Sequence, residues 1–184
     1  MTALSERDTS LRRGIVPLCH LIRWAMVAWI GWELVNILRT WGSRENIALG
    51  FGRYLKLDLH ALPTADYIVS FALVLIDWSV AALVAVFVWK LFGGFLDGQI
   101  FSAASMRQML WLGWAGVAAV ATDLVIRPLV AVTMSMHLPT GGRGLGLSVQ
   151  PQDLLHLLMG LVVVALAFVF KTGVEISDDH RQIV

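Results

Sequence analysis

The chain has 184 residues, 58% of them apolar and 15% charged, with eight Trp and a formal net charge of +1 at pH 7. That balance lies outside the usual range of water-soluble domains, and the absence of a clustered basic face argues against direct nucleic-acid binding. A single cysteine, Cys19, rules out a disulfide framework or a Cys-based metal site, and reads as a small apolar core residue.

Four long apolar runs follow in chain order, at 15–38, 67–89, 109–134 and 154–170. About twenty mostly apolar residues cross a ~30 Å hydrocarbon core. In that core the backbone must bond to itself, and the runs are continuous rather than alternating, so each predicts a helix. The expected fold is an all-α membrane protein, a four-transmembrane-helix bundle forming one domain over 1–184. Arg12 and Arg13 before the first run imitate a signal peptide. Arg23 interrupts that run, however, and no small-residue cleavage site follows, so the first helix is expected to be retained. Arg12, Arg13, Lys90, Arg107 and Lys171 lie next to the membrane, and this bias predicts both termini on the cytoplasmic side.

The connections differ in character. The first outer segment, 40–66, mixes Ile47, Leu49, Phe51, Tyr54, Leu55, Leu57 and Leu59 with Arg53, Lys56 and Asp58. It fits an element lying along the interface, and the alternation from Tyr54 to Leu59 equally fits a short strand. The second outer segment, 136–152, is rich in Gly and Pro. Its Gly142-Arg143-Gly144 lacks the following helix and the Lys-Ser/Thr pair of a phosphate loop. The inner connection predicts order: Asp97-Gly98 as a tight turn, Ser102 as the N-cap of the third helix, and Phe101 stapled to Met106.

Gly98-Gln99-Ile100-Phe101-Ser102, with Met106-Arg107-Gln108-Met109 and Leu112-Gly113-Trp114, resembles the inner-loop signature of a family of small bacterial membrane proteins, domain of unknown function 2975. Phe168-Val169-Phe170-Lys171-Thr172-Gly173-Val174-Glu175-Ile176 resembles the segment that follows that family's last helix. Ile100 stands where the family usually has Pro, and the chain end Asp179-His180-Arg181-Gln182-Ile183-Val184 departs from the family tail. The resemblance implies a four-span protein of the bacterial inner membrane, in a family often encoded beside a small helix-turn-helix regulator. It supplies no catalytic residue.

Arg23, Glu33, Asp77, Asp123 and Arg127 fall inside the runs, and each costs about 2.5 to 3.5 kcal/mol at a helix centre if left unpaired. Counting depth from the ends of the runs pairs Arg23 with Asp77. Asp123 and Arg127, four residues apart on one helix face, form a second network together with Glu33. Such groups either fix helix register or mark a path for an ion or polar solute. Pro128 is expected to kink the third helix beside Arg127. Gly113, Gly116 and Ala119 to Ala121 offer a face for close helix approach, within the chain or between copies.

His20 and His156 look like an axial haem pair. They sit one turn into helices that start on opposite sides, roughly 20 Å or more apart, so no haem is expected. No metal site and no nucleophile-base pair is evident, so enzyme activity is not expected. The leading expectation is a regulatory protein. Its inner loop (Asp97, Gly98, Phe101, Ser102, Arg107) and tail (Gly173, Glu175, Asp178, Asp179) would engage a small DNA-binding regulator, with Gly173 ending the last helix and turning the chain along the surface. The rival readings are an accessory subunit of a larger membrane complex, in a homo- or hetero-oligomer, and a small transporter using the buried charges.

Overall fold

The computed structural model describes the backbone of residues 2–55, 59, 62–99, 102–137 and 150–182, with side chains for 15–53, 59, 62–99, 102–137 and 150–172. Among these residues the chain is helical, without strands: α1 (Thr2–Trp41), α2 (Arg44–Leu55), α3 (Thr64–Leu96), α4 (Ala103–Ser135) and α5 (Pro151–Gln182). Among the residues with described side chains, four segments are long and apolar enough to cross a membrane: Ile15–Trp41, Thr64–Leu96, Ala103–Ser135 and Pro151–Thr172. Their outer faces carry the apolar surface that lipid requires. Trp24 is 61% exposed and Val169 67%, values that would be costly in water when repeated along every helix.

Each long helix overruns its apolar run, because helical hydrogen bonding continues where hydropathy fades. At 33 residues, α3 and α4 are each about 50 Å long and exceed a ~30 Å core, so they must tilt or project. The first span is the continuation of a helix that begins at Thr2. The expected exit at Gly173 is overturned, since α5 runs through it to Gln182. One glycine costs a helix interior about 1 kcal/mol relative to Ala, too little to stop a helix already nucleated by a whole span.

The first outer segment resolves largely into α2, which takes Tyr54 and Leu55 from the alternative strand; residues 56–58 lie outside the described residues. Glu45 in its first turn and Arg53 in its last complement the helix dipole. Arg44 ties its start to α3, donating to the Leu62 carbonyl at 2.9 Å and to Thr64 Oγ1 at 2.8 Å. Beneath α2 lies the main buried core, where Trp41, Ile47, Leu59 and Leu62 meet Ile126, Val130 and Met134 of α4. Trp41 is its centre: its ring packs on Phe51, Tyr67 and Phe71, and its carbonyl accepts from the Tyr67 hydroxyl.

Among the described residues the long helices pack in sequence, α1 on α3, α3 on α4 and α4 on α5, with no comparable packing of α5 on α1. At the α4–α5 contact the backbones come close together. A Cβ on Gly113 would lie 2.5 Å from Val164 Cγ2 and 2.9 Å from its backbone nitrogen, and one on Gly160 would lie 3.1 Å from Val117 Cγ2. Gly113 therefore serves packing within the chain, whereas a Cβ on Gly116 would meet only the Gly160 Cα at 3.8 Å.

The α3–α4 connection is shorter than the sequence suggested, because Gly93 and Gly94 belong to α3. Its end is a Schellman motif: Gln99 N–H donates to the Gly94 carbonyl at 2.9 Å, Gly98 N–H donates to the Phe95 carbonyl at 3.1 Å, and Gly98 adopts φ 80°. Ser102 caps α4, its Oγ accepting from Ser105 N–H at 3.1 Å. The expected Phe101 staple lies outside the described residues. Gly98→Ala is expected to cost about 1 to 2 kcal/mol, from the left-handed backbone. Ser102→Ala is expected to cost about 1 kcal/mol, from the lost cap. Thermal unfolding in detergent checks both.

Candidate functional site within the spans

Segments of the four long helices gather at one end of the bundle. Arg23 of α1 stacks on Trp89 of α3, its guanidinium carbon 3.8 Å from the ring centroid. Arg107 and Lys171 line one cleft of about 340 Å³ between the start of α4 and the C-terminal half of α5. The N-terminal half of α1, the turn at Asp97-Gly98 and the C-terminal half of α5 thus share an end. The α2 cap occupies the other.

The register of α1 against α3 decides which charges meet. Trp24 packs edge-on against Trp89 at 5.4 Å, and the Trp78 indole N–H donates to the Ile30 carbonyl at 3.2 Å. Arg23 therefore faces Trp89, about 18 Å along α3 from Asp77. The expected Arg23–Asp77 pair does not form. Counting depth from the ends of the apolar runs misplaced it, since α3 continues to Leu96 and carries that end of the helix further out. The face of Trp89 takes the guanidinium instead, an attraction that strengthens away from water. Arg23 Nε remains buried without a hydrogen-bond partner.

Arg127 organises the ion pairs. Its Nε donates to Asp123 Oδ1 at 2.8 Å and its Nη1 to Asp153 Oδ2 at 3.2 Å, while Nη2 bridges both carboxylates. Asp123 was expected here. Asp153 is the addition, and Glu33 takes no part in the ion pairs among the described residues. Asp153 also accepts from Gln150 N–H at 2.8 Å, as an acidic residue in a first turn does when it reaches back to the cap. With Pro151 opening the helix, one side chain both starts α5 and binds it to α4.

Between the four long helices lies a cavity of about 590 Å³. Glu33, Asp77, Asp123 and His156 line it, one from each helix, with Trp29, Trp78 and Met159 among its apolar walls. The structure thus gathers three of the five predicted intramembrane charges around one space. Arg23 and Arg127 are not among the lining residues. No three His, Cys, Asp or Glu side chains among the described residues converge closely enough to hold a metal ion. His20 lies outside this cavity, in the half of α1 nearest the end that holds Arg23. Of the predicted tail residues, Glu175, Asp178 and Asp179 fall on the helical extension of α5, with side chains outside the described set.

The family model described as Protein of unknown function (DUF2975) matches residues 57–184, which is more than half of the chain and includes α3, α4 and α5. The chain belongs to the DUF2975 family. The match takes in the Schellman turn, the Arg127 network and the Gly113–Gly160 contact, while α1, α2 and Glu33 precede it. No curated protein and no solved structure matches the chain.

Proposed function

We propose that this DUF2975 protein is a non-enzymatic regulator in a bacterial inner membrane, acting through the end that carries its termini and the Gly98 turn. The carrying observation is the extension of α5. In the sequence its apolar run ends at Phe170, yet the helix continues to Gln182, which projects about 18 Å of helix beyond the run. Glu175, Asp178 and Asp179 on that extension complement a basic partner surface. The resemblance to a family often encoded beside a small helix-turn-helix regulator supports such a factor as the partner. The membrane-proximal Lys and Arg residues support a cytoplasmic location for this end. Arg107 and Lys171, lining the cleft beside the turn, sit among these basic residues.

Deleting Ser177–Val184 tests the reading. The truncated protein is expected to insert and unfold like the full chain, and to lose co-purification of the helix-turn-helix factor encoded beside it. Retention of that factor by the truncated protein, or failure of the full chain to capture it, would make an accessory subunit the better account.

A further inference from the structure

The cavity among the four long helices has features that helix packing alone does not require. Three carboxylates and one basic side chain, His156, line it, and no Lys or Arg does. One of the three, Asp123, is neutralised by Arg127, but that cation is shared with Asp153. Glu33 and Asp77 have no ion pair among the described residues. Carboxylates facing a space inside a bilayer attract a compensating cation, because ion pairing is strong where water is scarce.

The shape of the space narrows the choice of cation. The donors do not converge as a metal ion requires. The walls are mainly apolar and include Trp29 and Trp78, whose ring faces suit an organic cation better than a hydrated ion. A volume near 590 Å³ falls within the range of small-molecule sites, about 300 to 1,000 Å³. The way in is lateral. No extensive packing joins α1 to α5 among the described residues, and the lining residues Trp29 and Met159, one from each, are 51% and 59% exposed. A ligand arriving this way comes from the lipid phase.

We propose that the cavity binds a lipophilic organic monocation, an ammonium or phosphonium with an apolar body, which enters between α1 and α5 and is held by Glu33 and Asp77. This site is independent of the regulator reading and stands if no soluble partner is found.

The test uses the full chain in phosphatidylcholine nanodiscs, with radiolabelled tetraphenylphosphonium as probe and triphenylphosphine oxide as a neutral competitor. Saturable binding at one site per chain is expected, with little competition from the oxide. Glu33→Gln and Asp77→Asn should each raise Kd roughly tenfold, equivalent to ~1.4 kcal/mol. Glu45→Gln, in α2 and away from the cavity, should leave Kd unchanged. If the carboxamide variants do not fold, Ala81→Phe, which fills the cavity without altering its charge, must abolish binding. Binding no greater than to empty nanodiscs, or equal binding by the folded variants, overturns the proposal. Equal competition by the oxide overturns it in favour of a neutral, lipid-like occupant. Efficient cross-linking of Met159→Cys between copies in a Cys19→Ser background overturns it in favour of a second protein chain.

Discussion

Arg127→Ala is expected to destabilise the protein by about 3 to 5 kcal/mol, measured by denaturant unfolding in detergent. The substitution leaves Asp123 and Asp153 facing one another at the α4–α5 contact without their shared cation, and Asp153 is only 6% exposed. Asp123→Asn should cost less, because Arg127 keeps Asp153. Combining Arg127→Ala with Asp123→Ala and Asp153→Asn should recover part of the loss, since the uncompensated charges leave while the new carboxamide oxygen at position 153 can still accept from Gln150 N–H. A cost for Arg127→Ala below about 1 kcal/mol is the behaviour of a water-exposed pair, and would remove this network from the low-dielectric region.

Gly113→Val should disrupt the same contact by steric means. Even the first carbon of a side chain at position 113 meets the Val164 backbone nitrogen at 2.9 Å, and backbone cannot step aside as a flexible side chain can. Gly113→Ala should therefore cost about 1 to 3 kcal/mol, and Gly113→Val more, as α4 and α5 are forced apart. At Gly116 the nearest atom to a new Cβ is the Gly160 Cα at 3.8 Å, an ordinary contact, so Gly116→Ala should be nearly silent. Equal losses at the two positions would show that α4 and α5 pack on another face.

The sequence conveyed the four spans, the Asp97-Gly98 turn and the Ser102 cap because local chemistry alone determines them. Apolar length sets the spans, a left-handed glycine the turn, and a hydroxyl the cap. The ends of the helices were less legible, since hydropathy fades where helical hydrogen bonding continues; α1 and α5 extend beyond their runs on polar residues. That error propagated into the site. Starting the fourth run at Leu154 left Asp153 outside the membrane, although Pro151 followed two residues later by an acid is a helix-start signal. Depths counted from the same truncated runs placed Arg23 beside Asp77, while the Trp24–Trp89 contact and the Trp78–Ile30 hydrogen bond set another register. Such cross-helix contacts have no trace in a single chain's periodicity. The cavity follows from them, because it depends on how four helices splay rather than on any one of them.

Cysteine accessibility in intact cells tests the central claim, four crossings with both ends in the cytoplasm, most directly. In a Cys19→Ser background expressed in a bacterial inner membrane, a membrane-impermeant maleimide is expected to label Arg53→Cys in α2. It is expected to label Ser5→Cys and Asp178→Cys only after the cells are opened. Labelling of both terminal positions in intact cells, with Arg53→Cys protected, would invert the protein and contradict the cytoplasmic regulator reading. Opposite behaviour of Ser5→Cys and Asp178→Cys would contradict the four crossings themselves.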